Sequence, residues 1–305
     1  MEKPLSRPNP VVVGIGEILW DILLSGRYLG GAPANFAFHA GNLGAEGVIV
    51  SAVGDDDAGR DILEALRGFG MSRDHIATVA GTATGLVTAV LDAAGVPEFT
   101  IHENSAWDFL PETPESSALA ERASAVCYGT LALRSGVSRR TILGFLERTK
   151  PECLRVFDVN LRQRFFDRQI IRDLIGRSRV LKMNAEELAD IAAIFGLLGK
   201  GTDVLRRLLD LFSLDLIALT RGSEGSRLLG REAESDHPGI DVEVEDTVGA
   251  GDAFTAALVT GLLENWSLDE INERANRVAA FVCSREGAWP AIPAGLTERP
   301  GFGRG

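Results

Sequence analysis

Short apolar runs alternate along most of the chain with segments whose apolar residues recur every three or four positions. The short runs predict buried strands, at Val11–Ile15, Val48–Val53, Ala125–Tyr128, Leu154–Asp158, Val180–Met183 and Leu216–Thr220. The longer periodic segments predict helices, at Ala34–Leu43, Asp57–Phe69, Ser138–Arg148, Ala185–Phe195, Thr202–Phe212, Gly251–Glu264 and Leu268–Ser284. This alternation is typical of an α/β fold in which helices cover both faces of a mostly parallel sheet. Ligands of such folds bind at the carboxyl ends of the strands.

Three strand-like runs interrupt the alternation because no helix lies between them. They are Ile18–Leu24, Gly85–Leu91 and Phe99–Asn104. The turn-forming residues of Asp92–Gly95 join the last two as a predicted hairpin. We therefore expect these strands to form a small separate sheet, an edge flap or a lid.

Charge excludes some partners of this 305-residue chain. Lys and Arg number 31 against 43 Asp and Glu, which gives a net charge of −12. A negative surface repels phosphate backbones, so we expect neither nucleic acid nor an anionic membrane as a partner. Residues 1–10 lack the apolar segment of a secretory signal, and no apolar run reaches the length of a membrane span. These features predict a cytoplasmic protein.

The stretch Asp246–Phe254 (DTVGAGDAF) carries the clearest chemical signal. It follows the alternating segment Asp241–Glu245, which predicts a strand, and it precedes an apolar helix. Its glycines leave backbone N–H groups free at a helix N-terminus, which is an anion site. Asp252 falls beside that site, where a carboxylate can take the proton of a hydroxyl that attacks a phosphoryl group. A plain capping carboxylate is the alternative. The Walker A motif of P-loop kinases does not occur in the sequence.

A second Gly-rich stretch, Gly30-Gly31-Ala32-Pro33-Ala34-Asn35, runs into a helix near the start of the chain. Paired glycines allow a ligand to approach the backbone closely. The amide of Asn35 can both donate and accept hydrogen bonds, which suits a polyhydroxylated molecule.

Together, GGAPANFAFHAGNLGA and DTVGAGDAFTAAL resemble the two signature regions of the ribokinase-like (phosphofructokinase B-type) carbohydrate kinases. The resemblance extends from Val11 to Pro293. It implies one kinase domain over residues 1–305 with a three-layer α/β/α core and a mostly parallel central sheet. A small β-sheet lid is expected from about residues 17–32 and 83–108. Lid strands with exposed apolar faces often pair between subunits, so we also expect a homodimer through the lid.

The resemblance assigns the chemistry of phosphoryl transfer to matching positions. Asp252 matches the catalytic base, and Arg162 is expected to stabilise charge on the phosphoryl group. The anion hole for that group matches the turn before the last long apolar helix, at Gly249, Ala250 and Gly251.

Metal positions follow from the same likeness. Lys182–Glu187 resembles the N-x-x-E stretch, in which Asn184 and Glu187 organise Mg²⁺ around the ATP phosphates, largely through water. The carbonyl groups of Asp246 and Val248 would hold K⁺ together with the loop 284–291.

Nucleotide positions match a loop after the sixth predicted strand and one helical residue. Thr220-Arg221-Gly222-Ser223-Glu224-Gly225 resembles the T-x-G-x-x-G loop. Thr220 and Gly222 would lie near the phosphates and ribose, with Gly225 at the turn and Gly251 at the phosphates. Asn276 matches a position that flanks the adenine.

Sugar positions match the lid and the end of the fourth predicted strand. Asp21, Gly30, Gly31 and Asn35 match residues that bind sugar hydroxyls. Asp158–Arg162 resembles the D-x-N-x-R stretch of fructokinase-like members of the family, which adds Asn160 and Arg162 to the sugar site. With the segment Phe99–Leu110, this stretch favours D-fructose as substrate. Two alternatives stay open: a kinase for 2-keto-3-deoxygluconate, ribose or a nucleoside such as adenosine, and a sugar-binding regulatory protein without catalysis.

Overall fold

The computed structural model describes residues 8–23, 26–91, 97–163 and 165–301. Within them the strands form two sheets. The larger has nine strands in the order β13-β12-β11-β10-β9-β8-β1-β4-β5, and the smaller has four in the order β3-β2-β6-β7. The larger sheet is parallel from β5 to β11, and only β12 and β13 run antiparallel. The predicted α/β fold with a mostly parallel central sheet is therefore confirmed.

The strands have these bounds: β1 Val11–Ile15, β2 Leu19–Leu23, β3 Gly26–Gly30, β4 Glu46–Gly54, β5 Ile76–Val79, β6 Gly85–Leu91, β7 Pro97–Ile101, β8 Ala125–Tyr128, β9 Leu154–Asp158, β10 Val180–Asn184, β11 Leu216–Thr220, β12 Ser226–Gly230 and β13 Glu234–His237. The α-helices are α1 Ala32–Asn42, α2 Asp57–Gly68, α3 Pro114–Arg122, α4 Gly136–Arg148, α5 Arg168–Arg177, α6 Ala185–Phe195, α7 Thr202–Leu211, α8 Ala250–Leu263, α9 Leu268–Cys283 and α10 Ala294–Thr297. Three short 3₁₀ turns lie at Ala106–Phe109, Leu131–Arg134 and Gly222–Glu224.

Alternation along each central strand builds the three layers. Val11, Val13 and Ile15 of β1 pack in a core with α3 to α7, whereas Val12 faces a second core with α1, α8 and α9. Successive side chains of a strand point to opposite faces, so a run that is apolar at every position must be covered on both sides. This is why the predicted strands are uniformly apolar.

The smaller sheet sits beside α2 and is tied to it by polar contacts. The indole N–H of Trp20 on β2 donates to the carbonyl of Ala58 over 3.0 Å. Arg27 on β3 pairs with Asp61 of α2 at 2.8 Å. All four strands of this sheet fall within residues 19–30 and 85–101. The predicted turn Asp92–Gly95 lies outside the described residues.

One predicted strand is wrong. The segment Asp241–Glu245 joins no sheet among the described residues. It lies along the end of α9 instead, because the N–H groups of Glu245 and Asp246 both donate to the carbonyl of Cys283. The turn at Gly249 therefore joins a loop to a helix. The pattern also missed β3, β5, β12, β13, α3, α5 and α10, which are short or rich in polar residues.

No helix in the described ranges combines the length and apolar character that crossing a bilayer requires. The cytoplasmic location stays a prediction.

Candidate active site

Asp252 lies in the first turn of α8, directly after a tight turn. Gly249 caps this helix with φ near 77°, a left-handed conformation that favours glycine. A Cβ on Gly249 would also lie 2.7 Å from the Cβ of Ala288, so the position has no room for a side chain. The N–H groups of Ala250 and Gly251 belong to the first turn, whose amides have no partner within the helix, although that of Ala250 donates to the carbonyl of Thr247 over 3.4 Å. The predicted anion hole and the predicted base are therefore neighbours at one helix end.

Asp252 is hydrogen-bonded to a residue near the other end of the chain. The side-chain N–H of Asn35 on α1 donates to its Oδ2 over 2.8 Å. The Oδ1 of Asn35 accepts from the indole N–H of Trp289 at 2.6 Å. Asn35 is only 3 % exposed. Sequence reasoning placed Asn35 against the sugar, and in the structure its amide is engaged mainly by the protein, with one N–H left for a ligand.

Burial decides the charge of Asp252. Loss of solvent, together with the nearby carboxylate of Asp158, raises its pKa to about 7, although Lys182, Asn35 and Arg162 oppose the rise. An ordinary aspartate is fully ionised at neutral pH. Asp252 instead titrates in the range where a general base works best.

Lys182 and Asp158 form a buried ion pair that sequence reasoning did not place in the site. The ammonium nitrogen of Lys182 lies 3.0 Å from Asp158 Oδ1, and the hydroxyl of Thr255 on α8 donates to Asp158 Oδ2 over 3.1 Å. A Cβ on Gly251 would lie 3.2 Å from the same ammonium nitrogen. The lysine therefore sits beneath the anion hole. A charged residue inside the apolar strand VLKMN is the signal that reveals it.

Glu17 is a second missed carboxylate. It follows β1 and is 2 % exposed. Burial raises its pKa to about 7, and the charge of Asp252 adds to the rise while Arg162 lowers it. The backbone N–H of Ala32, at the start of α1, also lowers this pKa as a hydrogen-bond donor. Its Oε2 has no hydrogen-bond partner among the described residues. The signal in the sequence is a glutamate between two apolar stretches.

Asp21 and Gly30 meet across the smaller sheet. A Cβ on Gly30 would lie 2.1 Å from Asp21 Oδ2, so the glycine makes room for the carboxylate. Burial raises the pKa of Asp21 to about 6, with Arg162 lowering it and Asp246 raising it. Gly31 has φ near 109° and allows the carbonyl of Glu17 to approach.

Asn160 and Arg162 follow the carboxyl end of β9. Asn160 has φ near 41°, and its carbonyl accepts from the hydroxyl of Thr130 over 3.0 Å. With Asp158 and Asp252 it lines a cavity of about 10 Å³. Arg162 is exposed, and its charge lowers the pKa values of Asp252, Glu17 and Asp21. The charge of Arg162 therefore acts on three carboxyl groups of the site.

Asn184 and Glu187 form a capping box at the start of α6. The Oδ1 of Asn184 accepts from the N–H of Glu187, and Glu187 Oε2 accepts from the N–H of Asn184, both over 2.8 Å. Glu187 Oε1 accepts from the N–H of Leu161 at 3.0 Å. Burial raises the pKa of Glu187 and Lys182 opposes that rise. The box ties β10 to the loop that carries Arg162.

The predicted nucleotide residues divide into two groups. Thr220 ends β11 next to Gly222, and both lie at the carboxyl edge of the larger sheet. Gly225 has φ near 77° in the turn between β11 and β12, where a Cβ would lie 2.0 Å from the carbonyl of His237. Asn276 is buried, and its Nδ2 donates to the hydroxyl of Ser226 over 2.8 Å. Gly225 and Asn276 are thus explained by internal structure.

An open groove of about 370 Å³ lies between the segment before the anion hole and α9. It is lined by apolar, acidic and basic side chains, among them Ile240, Val242, Glu273, Arg277 and Phe281. The backbone of residues 243–248 leads from this groove to Gly249. Sequence reasoning missed the groove because the incorrectly predicted strand covers the same segment.

The predicted potassium residues lie in a turn fixed by a carboxylate. Asp246 accepts from the N–H of Val248 over 3.0 Å through Oδ1 and from the N–H of Gly287 over 3.2 Å through Oδ2. The turn before α8 and the loop 284–291 are therefore in contact.

Comparison with known proteins identifies the family of the chain. The model of the pfkB family of carbohydrate kinases matches residues 26–294. The chain is 30% identical over 298 residues to the sugar kinase PH1459 of Pyrococcus horikoshii, with 92% of each chain covered. It is 29% identical to fructokinase-1 of Oryza sativa subsp. japonica, with 93% of this chain and 95% of the relative covered.

Solved structures show the same fold. The PH1459 structure superposes with a TM-score of 0.78 over 92% of this chain and 93% of that chain. A fructokinase of Xylella fastidiosa, at 22% identity, gives a TM-score of 0.82 over 93% of this chain and 95% of that chain. With two Gly-rich signatures at the ends of one site and a family match over most of its length, the chain belongs to the pfkB family of carbohydrate kinases.

Proposed function

We propose that the protein is an ATP-dependent kinase that phosphorylates the primary hydroxyl of a hexose, D-fructose in the first place, giving D-fructose 6-phosphate. The observation that carries the proposal is the position of Asp252, a buried carboxylate with a pKa near 7 in the first turn of α8 beside Gly249 and Gly251. Family membership supports the class of reaction.

Asp252 acts as the general base. Its carboxylate accepts the proton of the sugar hydroxyl while that oxygen attacks the terminal phosphorus of ATP, and the bond to the leaving ADP oxygen breaks in line. The proton then resides on Asp252, which its raised pKa tolerates at neutral pH.

Positive potential around the anion hole stabilises the transferred group. The first-turn amides of α8 offer N–H donors, and the helix dipole adds to their field. Lys182 brings a buried positive charge to within 3.2 Å of the Cβ position of Gly251. Arg162 approaches from the exposed side, where a guanidinium can bind a phosphoryl group through two donors.

The groove beside α9 is the proposed adenine site. It has both apolar and polar lining residues, and the chain leads directly from it to the anion hole. Thr220 and Gly222 would then flank the ribose and phosphates. Asn276 would act from behind, through the buried network around Ser226. The related PH1459 protein has a crystal structure in complex with ATP, which supports a nucleotide site in this chain.

The residues around Asn184 fit a Mg²⁺ ion bound through water. No group of three or more His, Cys, Asp or Glu side chains within the described ranges could hold a metal directly. Mg²⁺ characteristically keeps several waters and binds substrate phosphates. Glu187 uses each oxygen once for a backbone N–H and retains lone pairs for such waters. When bound, the ion neutralises phosphate charge. A K⁺ ion at the carbonyls of Asp246 and Val248 stays a prediction.

The sugar site lies between the smaller sheet and the carboxyl end of β9. Asp21 supplies a carboxylate for hydroxyl groups, Asn160 and Arg162 add further polar groups, and Gly30 and Gly31 allow close approach. These acceptors and donors suit a polyol. The fructokinase names of several relatives favour a hexose, and D-fructose in particular.

The edge of the smaller sheet supports the predicted homodimer. Strand β7 is terminal in that sheet, and the side chain of Phe99 on it is 51% exposed. An unpaired edge with an exposed aromatic residue is a natural pairing surface.

A substrate panel tests the function. ADP release is measured with Mg·ATP and K⁺ for fructose, glucose, mannose, ribose, 2-keto-3-deoxygluconate and adenosine. We expect fructose to lead by tenfold or more in kcat/KM, a difference of about 1.4 kcal/mol. A higher kcat/KM for another sugar would overturn fructose as the substrate and would leave the proposed kinase activity in place. If none of these compounds leads to ADP release but a sugar raises the thermal stability of the protein, the result would favour a sugar-binding regulatory protein without catalysis.

A further inference from the structure

Trp289 lies in the loop after α9, far in sequence from the residue it contacts. Its indole N–H donates to Asn35 Oδ1 over 2.6 Å, and Asn35 Nδ2 donates to Asp252 Oδ2 over 2.8 Å. Trp289 is 7% exposed and Asn35 3%. A chain of two short, buried hydrogen bonds thus runs from the indole to the proposed base.

The chemistry of the two ends fixes the direction of this chain. An indole N–H can only donate, and an ionised carboxylate can only accept. The amide between them must therefore turn its oxygen to Trp289 and its N–H to Asp252. Without the indole N–H, the amide is free to rotate and to present its oxygen to the carboxylate, which favours the protonated acid.

The ring of Trp289 is itself fixed. It stacks on Phe38 of α1 with ring centroids 4.3 Å apart and lies 5.1 Å from the ring of Phe69. The preceding residue, Ala288, packs against Gly249 and accepts from a ring nitrogen of His39 at 2.9 Å. The same short segment therefore supports both the anion hole and the residue that holds the base.

We propose that Trp289 is a positioning residue for phosphoryl transfer, which holds the amide of Asn35 in the orientation that donates to Asp252. This inference rests on the proposed function of Asp252 as the base. Trp289 acts through Asn35 and does not touch the reacting atoms.

Four charged groups also act on Asp252 from the elements packed around it. Asp158 on β9 and Glu17 after β1 are like charges, whereas Lys182 on β10 and Arg162 after β9 are opposite charges. Loss of the Asn35 donor adds to the influence of the two carboxylates, because that donor lowers the pKa of Asp252. The acid limb of the kcat profile must then move to higher pH.

The kinetic test is Trp289→Phe, which keeps an aromatic ring for stacking and removes the N–H donor together with part of the ring. We expect kcat near pH 7 to fall roughly 2- to 6-fold and to recover near pH 9, a limb shift of about half to one unit. The KM for the sugar should change less than about twofold, because the variant removes no interaction that the protein makes equally with the bound sugar and with the transition state. Trp266→Phe, at a half-buried tryptophan beside Arg274, is the matched control with an unshifted limb.

A double-mutant cycle separates positioning from general packing. If Trp289 acts through Asn35, Trp289→Phe has no further effect in an Asn35→Ala background. An equal loss in both backgrounds, or a loss of kcat at every pH without a limb shift, would overturn the proposal.

A measurement without turnover keeps this proposal distinct from the proposed function. The chain has four tryptophans, and the indole N–H signal of Trp289 is assigned in a ¹⁵N NMR spectrum by its loss in Trp289→Phe. We expect this signal to titrate with a midpoint near the pKa of Asp252, about 7, and to stop titrating in Asp252→Asn. A signal that ignores pH refutes the positioning role. A titrating signal in a protein that phosphorylates no sugar refutes the proposed function alone.

Discussion

The ammonium nitrogen of Lys182 lies 3.0 Å from the carboxylate of Asp158, and both side chains are at least nine-tenths buried. A cation near a helix N-terminus opposes the helix dipole. The pair sits beneath the first turn of α8, where Asp158 also accepts from Thr255. The arrangement is therefore more favourable with an anion bound above the turn than without one. This is what a phosphoryl-binding site requires.

Removing one member of this pair should destabilise the protein. Lys182→Met leaves Asp158 charged and unpaired, and we expect the free energy of unfolding to fall by about 3–5 kcal/mol. Combining it with Asp158→Asn should restore most of the loss, as measured by urea denaturation. Equal stabilities of Lys182→Met and the double variant would contradict a charge-pairing role.

Replacing the proposed base should separate catalysis from binding. Asp252→Asn keeps the size of the side chain and removes proton acceptance, so we expect kcat to fall at least roughly 10³-fold, within the range of general base catalysis. Binding of ATP, followed by calorimetry, should change little because the backbone N–H donors remain. Turnover within tenfold of the wild type would exclude Asp252 as base.

At alkaline pH, Asp252→Asn should be more stable than the wild-type protein. The pKa of Asp252 is raised in the folded protein from 3.8 to about 7, so the folded state binds its proton more tightly than the unfolded state does. Stability therefore falls as pH rises between about 4 and 7. At pH 8 we expect Asp252→Asn to unfold with a free energy higher by on the order of 2 kcal/mol. At pH 4 the two proteins should differ little.

Glu17 gives a pH prediction of opposite sign to that of Trp289. Both Glu17 and Asp252 have pKa values raised to about 7, and each charge disfavours the other. Glu17→Gln removes the neighbouring charge and retains an oxygen for the N–H of Ala32. We expect the acid limb of kcat/KM to move to lower pH. An unmoved limb in the profile would show that the two carboxyl groups titrate independently.

Gly30→Ala should damage the sugar site selectively. The new Cβ would lie 2.1 Å from Asp21 Oδ2 and must displace the carboxylate. We expect the KM for the sugar to rise at least roughly tenfold, because a charge-assisted hydrogen bond contributes about 1.5–3 kcal/mol. Gly176→Ala on the exposed face of α5, with no atom within 4 Å of its Cβ position, is the control. Equal KM values for the two variants would remove Asp21 from the sugar site.

Local signals predicted the fold class and the two halves of the site, but not how the halves meet. The uniformly apolar strands and the Gly-rich turn before Asp252 are visible in short windows of sequence. The contact between Asn35 and Asp252 joins residues 217 positions apart, which no periodicity encodes. The alternation of Asp241–Glu245 predicted a strand, yet hydrogen bonds to Cys283 hold this segment against α9. Tertiary contacts overrode the local preference there.

Only Gly31 separates β3 of the smaller sheet from α1, the helix that carries Asn35. The two elements are therefore joined through a single residue, with φ near 109°. Because one residue joins the strand to the helix, a movement of the strand is passed on directly to the helix. Any rotation of the smaller sheet over a bound sugar would therefore also rotate the first turn of α1. Closure over the substrate and alignment of the base would then be a single mechanical event.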